Sequence, residues 1–305
     1  MSRALRSGVL PVEKGPGVTS FQVVAHARRL LRAPKLGHGG TLDPEATGVL
    51  PLLVGEATKL MPYLADLEKE YVATVRLGVV TDTQDLSGAV LETRPVPPLD
   101  AAAVEGVLGR FVGEIEQVPP MYSALHHEGK RLYEIAREGG TVDRRARRVT
   151  VHAIALLSLS PPELTLRVRC GTGTYVRTLA ADLGAAIGCG AALSGLVRTR
   201  VGPYDLRLAI SWDDLRECRD GALLWARLLP SDSALQGRPA VTLDAAQARA
   251  FANGQSIAVA GEGDGVLRAY APDGVLLGVG LRRGAVVKPE RLLHADDPRP
   301  RVLPV

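Results

Sequence analysis

Cysteine is scarce in this 305-residue chain, and what little there is lies scattered. Cys170, Cys189 and Cys218 show no C-x-x-C spacing, which excludes a disulfide framework and a zinc ribbon and points to a reducing cytoplasm. Aromatic residues amount to 4%, so each Tyr, Phe or Trp beside a motif is informative. No run approaches the roughly 18 apolar residues that span a bilayer. The start, Met1-Ser-Arg-Ala-Leu-Arg6, has basic residues but no apolar stretch behind them, so no signal peptide is expected. Phosphate-binding G-x-x-x-x-G-K-[ST] is missing. Gly171-Thr-Gly-Thr-Tyr-Val176 lacks the third glycine of a dinucleotide fingerprint. His126-His-Glu128 has the H-x-E of a zinc deaminase without its P-C-x-x-C partner. What survives is a site without metal or cofactor, built from Asp, Tyr, Arg and His.

What is present describes an ordinary globular protein. Hydrophobic residues make up 46% and charged residues 23%, enough for a sizeable core in one large domain or a main domain plus a small one. The net charge is +4, and it is unevenly spread. Residues 1–118 are net −2, 119–150 net +3, 151–237 net +1 and 238–305 net +2. The short 119–150 stretch ends in Arg144-Arg-Ala-Arg-Arg148. Such a cluster suits either a solvated loop edge or contacts to phosphate.

Hydrophobic periodicity predicts a helix over 20–32, with Val23, Val24, Ala27, Leu30 and Leu31 on one face, Thr19 or Ser20 as cap and Pro34 as stop. A glycine-rich turn, Gly37-His-Gly-Gly40, leads into Thr41-Leu-Asp-Pro-Glu-Ala-Thr-Gly48. Residues 48–55 read as a strand, on an edge or bulged because of Pro51, and 56–68 as a second helix weakened by Pro62. Tyr71, Ala73, Val75 and Leu77 alternate as in a strand. Further strands are expected at 88–93, 111–117, 148–158 and 163–170, and helices at 100–110, 130–138 and 175–187. No strand–helix–strand unit repeats, so an α+β fold with a mixed, largely antiparallel sheet flanked by helices fits better than a doubly wound one. Leu-Pro-Ser-Asp-Ser at 229–233 and Gly237-Arg-Pro239 mark a boundary. This divides the chain into a domain over 1–230 and a small β-rich module over 238–305.

Two residues stand out chemically. Asp43, before Pro44, is the sort of residue that caps a turn or helix. Its carboxylate, ionised at neutral pH given an ordinary pKa near ~4, could equally serve as nucleophile or base without an activating partner. Gly39 and Gly40 would let a substrate approach closely. In Gly173-Thr-Tyr-Val-Arg177, Thr174 resembles an N-cap, which puts Arg177 in a first helical turn. A cation there opposes the helix dipole, so a carboxylate or phosphate partner is implied, in a structural ion pair or at a site.

Taken together, the motifs resemble those of the bacterial tRNA pseudouridine-55 synthases, the TruB family. Gly37-His-Gly-Gly-Thr-Leu-Asp-Pro-Glu-Ala-Thr-Gly-Val-Leu-Pro51 is similar to the family's active-site motif, and Lys14-Gly-Pro-Gly-Val-Thr-Ser20 to its K-P-x-G-x-T-S motif with proline and glycine exchanged. Lys69-Glu-Tyr-Val72, Thr81-Asp-Thr-Gln-Asp85, Pro119-Pro-Met-Tyr-Ser-Ala-Leu125, Gly129-Lys-Arg-Leu-Tyr-Glu134 and Gly173-Thr-Tyr-Val-Arg177 follow in the family's order. The tail, with Gly274-Val-Leu-Leu-Gly278 and Lys288-Pro-Glu-Arg-Leu292, resembles a PUA-like RNA-binding module.

The resemblance implies a pseudouridine-synthase fold, tRNA as partner, and a cytoplasmic enzyme with no cofactor, metal or protein partner that acts as a monomer. It implies that Asp43 is the catalytic aspartate, Tyr71 the ring that stacks on the target base, and Arg177 an active-site arginine paired with Asp85 near Tyr175. His38 would sit by the flipped-out nucleotide and Leu196 would line the pocket. Residues about 119–147 would form an inserted loop that closes over the T-arm. Lys14, His126, Lys130, Arg131, Arg144, Arg145, Arg147 and Arg148 are the expected RNA backbone contacts. His126 departs from the usual Lys, and the Gly15–Pro16 exchange touches the motif expected to support the catalytic loop.

Pseudouridine formation breaks N1–C1′, turns the base and joins C5 to C1′. Attack at C1′, attack at C6 and removal of a sugar proton all require a carboxylate beside the nucleotide. The rival reading is a non-catalytic RNA-binding or RNA-folding protein that uses the same cleft.

Overall fold

The computed structural model describes residues 7–123, 125–127 and 129–293, without the side chains of His126, His127, Arg131 and Arg137. The chain opens with β1 (Gly8–Lys14), α1 (Ser20–Leu31), β2 (Leu36–His38) and β3 (Thr47–Val54), followed by α2 (Met61–Ala65). Then come β4 (Lys69–Leu77), β5 (Val79–Thr81), β6 (Val90–Thr93), α3 (Ala101–Leu108) and β7 (Gly113–Gln117). A two-residue hairpin, β8 (His126–His127) and β9 (Lys130–Arg131), precedes α4 (Leu132–Arg137). Long strands β10 (Arg147–Ser160) and β11 (Glu163–Cys170) lead to α5 (Val176–Ile187) and β12 (Ala191–Val201). Short pieces follow: β13 (Tyr204–Asp205), β14 (Ile210–Ser211), α6 (Trp212–Glu217) and α7 (Gly221–Ala226). The C-terminal part holds β15 (Ala240–Thr242), α8 (Ala245–Ala252), β16 (Ile257–Ala258), β17 (Gly265–Tyr270), β18 (Leu276–Arg283) and β19 (Val286–Leu292).

These elements form two compact units, each discontinuous in sequence. One takes in the N-terminal residues up to Pro44, Gly48–Asp66 and the chain from Val201 onward; the other takes in Glu45–Thr47 and Leu67–Arg200.

In the first unit β1 pairs antiparallel with β3 and parallel with β14, while β2 lies antiparallel on β3. Helix α1 presents Val23, Val24, Ala27 and Leu31 to Leu10, Val12, Leu50, Leu52 and Val54, as its periodicity predicts. It begins with a Thr19–Gln22 capping box and ends at Arg32 in the left-handed region, with Arg28 and Arg29 in its last turn. Pro51 does not make β3 an edge strand. It sits opposite Pro11 in a fully paired ladder. Two prolines can face each other only where an antiparallel ladder asks neither for an amide proton. The expected single helix over 56–68 is instead a 3-10 turn, Gly55–Leu60, followed by α2 with Pro62 in its first turn. Proline has no N–H to continue a ladder and is accommodated only there.

In the second unit β12 neighbours β4, β4 pairs antiparallel with β11, β11 with β10, and β10 with β7. Along β4 burial alternates without a break, with Lys69, Tyr71, Ala73, Val75 and Leu77 buried. Helix α5 buries Val176, Leu179, Ala180 and Leu183. Its cap is Tyr175 rather than Thr174, whose hydroxyl turns back to the Gly171 carbonyl.

At the C-terminus β15 lies parallel to β17, and β17, β18, β19 and β16 continue antiparallel. Leu267, Ala269, Val279 and Val287 of these strands are buried together with Phe251 of α8. The expected boundary falls at a 3-10 turn, Ser231–Leu235. It is tied on both sides: Tyr270 donates to Asp232 (2.8 Å) and Tyr204 shares a hydrogen bond with Ser233 (2.9 Å). Lys59 donates to the Leu292 carbonyl, and the Arg238 guanidinium lies 5.6 Å from the Tyr63 ring centre. These ties explain why the β-rich part shares a unit with the N-terminal strands. Among the described residues no helix is long and apolar enough to cross a membrane.

Candidate active site

Asp43 lies half-buried in the loop between β2 and β3, and the residues on either side of it are clamped. Before it, Leu42 is buried, and the Ser20 hydroxyl both accepts from the Leu42 amide (3.0 Å) and donates to its carbonyl (3.1 Å). After it, the Pro44 carbonyl accepts from Lys14 Nζ (2.7 Å) and from the Gly17 amide (3.0 Å). Each polar position of the Lys14–Ser20 motif thereby acquires a physical task. Thr19 caps α1, Ser20 and Gly17 hold the loop, and Gly17 adopts φ +72°, a conformation that favours glycine.

The exchange at 15 and 16 leaves this clamp intact. A Cβ on Gly15 would meet Trp212 Cδ1 at 3.0 Å, so glycine suits the position.

Lys14 requires a correction. It was expected on the RNA backbone, yet it is wholly buried and its ammonium donates to the carbonyls of Gly15, Val18 and Pro44 at 2.7–2.8 Å. An ammonium has three protons to donate, and these carbonyls are among their acceptors. Lys14 is a brace for the Asp43 loop, not a surface for phosphate. His38, at the end of β2, pairs with Leu52 and is half-buried.

The other expected residues belong to the second unit. Tyr71, 9% exposed, stands on β4 opposite Val168. Asp85 is held in its loop by Thr83 Oγ1 (2.8 Å) and the Ser87 amide (3.0 Å), both donating to Oδ1. Its Oδ2 lies 3.6 Å from Arg177 Nη1, the ion pair that the placement of Arg177 implied. The Arg177 side chain is 7% exposed, and it also donates to the carbonyls of Thr83 (3.1 Å) and Tyr122 (2.8 Å). Tyr175 is locked by Gln117, which accepts from its amide (3.0 Å) and donates to its carbonyl (3.3 Å). Leu196 is half-buried on β12. Cys170, beside this group on β11, is no nucleophile: burial pushes its thiol up to about 11.

Of the expected RNA contacts, Arg145, Arg147 and Arg148 are exposed. Lys130 is exposed and pairs with Glu138 (3.2 Å). Arg144 is half-buried and donates to the Pro119 carbonyl (2.9 Å). The side chains of His126 and Arg131 lie outside the described residues.

Two polar residues built into this framework escaped sequence reasoning. Gln117 is 1% exposed and Arg198 2% exposed. An arginine or glutamine in a strand ordinarily marks a solvent face, and no feature of the sequence contradicts that for either.

Family models match the chain in three consecutive pieces. TruB family pseudouridylate synthase (N terminal domain) covers residues 28–176, tRNA pseudouridylate synthase B C-terminal domain 177–236, and Pseudouridine synthase II TruB, C-terminal, 239–293. A curated tRNA pseudouridine synthase B from Burkholderia mallei is 50% identical over 305 residues, which is 96% of this chain and 99% of that one. The chain belongs to the TruB family. Another relative of the same name, from Chromohalobacter salexigens, is 47% identical and covers 94% of each chain. Among solved structures, a chain of a Cbf5-Nop10-Gar1 complex superposes with a TM-score of 0.74 at 27% identity, covering 93% of this chain and 84% of that one. A chain of an H/ACA RNP bound to a substrate RNA containing 2′-deoxyuridine gives 0.73 at 26% identity, with 96% and 87% covered. The fold is therefore the α+β pseudouridine-synthase fold of the TruB family with a β-rich C-terminal part. The TruB motif around Asp43 is the segment clamped by Lys14 and Ser20.

Proposed function

We propose that this TruB-family tRNA pseudouridine synthase isomerises uridine 55 in the T-loop of tRNA, with Asp43 as the carboxylate that acts on the flipped-out nucleotide. The observation that carries this reading is the clamped loop. A half-buried aspartate held on both sides by Ser20, Gly17 and Lys14 is preorganised in the manner that positioned catalysis requires.

The reaction balances within one nucleotide. The N1–C1′ bond breaks, the base turns, C5 bonds to C1′, the C5 proton leaves and N1 gains one. Extruding the uridine costs a few kcal/mol, and stacking on Tyr71 returns about 1–3 kcal/mol. Arg177, fixed by Asp85 and two carbonyls, supplies a buried cation, and with Tyr71 and Tyr175 it completes the proposed nucleotide site. The enzyme works in the cytoplasm as a monomer on the T-arm. Residues 1–230 carry the chemistry, with the 119–147 insertion closing on the RNA, and residues 238–305 act as a PUA-like RNA-binding module.

Tritium release from C5-labelled uridine in an unmodified T-arm stem-loop is the direct test. Release at that one position is the expected result. Tight binding with no release and no carbodiimide-reactive product would favour the RNA-binding reading.

Tyr71→Phe keeps the ring and is expected to bind the stem-loop like wild type, whereas Tyr71→Ala weakens binding by roughly 5- to 150-fold, the equivalent of about 1–3 kcal/mol of stacking. Filter binding measures both, and equal affinities would remove Tyr71 from base contact. Arg145, Arg147 and Arg148 are exposed together. Changing all three to Ala is expected to lower the slope of log K against log salt by about 2 to 3, since each phosphate contact contributes about 0.7–0.9. An unchanged slope would take these arginines off the RNA.

A further inference from the structure

Arg198 is one of the largest fully buried side chains in the protein, and nothing so far explains it. Isolating a guanidinium from water costs several kcal/mol, so such a group is retained only with a partner. The strands supply one. Thr199 on β12 donates to the Glu70 carbonyl (3.2 Å) and carboxylate (2.9 Å) on β4, and Ser194 donates to the Thr74 carbonyl (3.1 Å). The order reverses between the strands, so they run antiparallel and Arg198 falls opposite Tyr71. Both side chains are on the buried face, and they are hydrogen-bonded to each other.

The direction of that bond follows from chemistry. A guanidinium only donates, whereas a phenol both donates and accepts. The Tyr71 oxygen must therefore accept from Arg198, which turns its own proton away from the guanidinium. A free hydroxyl rotor would otherwise sample every direction.

We propose that Arg198 is a positioning residue for Tyr71, holding the ring in place and orienting the hydroxyl proton outward, toward the uridine. This rests on the reading of Tyr71 as the base-contacting residue. Burial alone pulls the Arg198 guanidinium below its usual pKa and the Tyr71 hydroxyl partly restores it, in keeping with a pair that depends on both members. The role differs from that of Arg177, whose partners are Asp85 and two carbonyls.

The test is a cycle of variants in the full chain, read by single-turnover tritium release and by filter binding of the same stem-loop. Arg198→Met is expected to slow the single-turnover rate by about 10- to 150-fold while Kd stays within about threefold, because a hydrogen bond to a charged group is worth about 1.5–3 kcal/mol. Arg198→Lys, which keeps a buried donor, is expected to recover most of the rate. In the Tyr71→Phe background, Arg198→Met should add less than about threefold. Equal losses in both backgrounds, or a loss in Kd as large as that in rate, overturn the proposal.

A second readout needs neither activity nor the Phe variant to turn over. With 13Cζ-labelled tyrosine, Arg198→Met and Arg198→Lys should each move the Tyr71 resonance, assigned by its disappearance in Tyr71→Phe. The other six tyrosines should stay in place. Where Met does not fold, Lys decides. A Tyr71 resonance at its wild-type position in the folded variants overturns the pairing. Absence of tritium release by the wild-type protein overturns the isomerase reading instead, and the resonance shift separates that failure from this one.

Discussion

Asp43→Asn is expected to yield a folded protein that binds the T-arm stem-loop with wild-type affinity and releases no measurable tritium, a loss of about 10⁴-fold or more. The substitution is nearly isosteric. The clamp on the loop acts through the Leu42 backbone and the Pro44 carbonyl, and these contacts survive the substitution, so the loop should keep its place. What disappears is the anionic oxygen that attack at C1′, attack at C6 and proton removal all need. Single-turnover assays with enzyme in excess separate this from a binding defect. Turnover within tenfold of wild type would remove Asp43 from the chemistry.

Lys14→Met is expected to damage stability and activity together. Its aliphatic stem is replaced by one of similar volume, so no large cavity opens. The carbonyls of Gly15, Val18 and Pro44, however, lose a donor inside the protein. An unsatisfied buried polar group costs about 1–3 kcal/mol, and partial relaxation toward other donors leaves a net loss of about 2–5 kcal/mol. The urea midpoint measures it. Because the Pro44 carbonyl adjoins Asp43, the carboxylate loses its fixed position, and misplacement of about 1 Å costs on the order of 100-fold in rate. A phosphate-contacting Lys14 would behave in the opposite way. It would leave the midpoint unchanged and lower the salt slope of binding by nearly one.

The contrast between Lys14 and Arg145 shows where sequence reading stops. Both are basic residues inside motifs, and charge alone cannot tell a buried brace from a phosphate contact. Lys14 is placed indoors by the pairing of β1 with β3 and the return of the chain to Pro44, contacts made across 30 residues. Arg198 makes the same point more sharply. Its place on the buried face follows from the register of β12 against β4, which no local pattern encodes. Helix α1 needed no such information, since Val23, Val24, Ala27 and Leu31 and the Thr19 cap lie within one dozen residues. Pro51 misled for a related reason. A proline normally marks an edge, and Pro51 is accepted within a paired ladder because its position opposite Pro11 asks for no amide proton. The single expected helix over 56–68 failed because Pro62 reset the ladder at a point that periodicity alone does not register.

By itself the sequence determined which side chains are available for chemistry: Asp43, Tyr71 and Arg177 in ordered motifs, few cysteines, and a basic excess outside the first 118 residues. It also determined the elements whose signals are local, such as α1 and the alternating strand around Tyr71. Tertiary structure alone decided what holds those side chains. It turned Lys14 and Ser20 into the clamp on the Asp43 loop, gave Arg177 its carboxylate and carbonyls, and set Arg198 opposite Tyr71. The physical reason is that burial and hydrogen bonding are properties of neighbours in space. Most of these neighbours are separated by tens of residues along the chain.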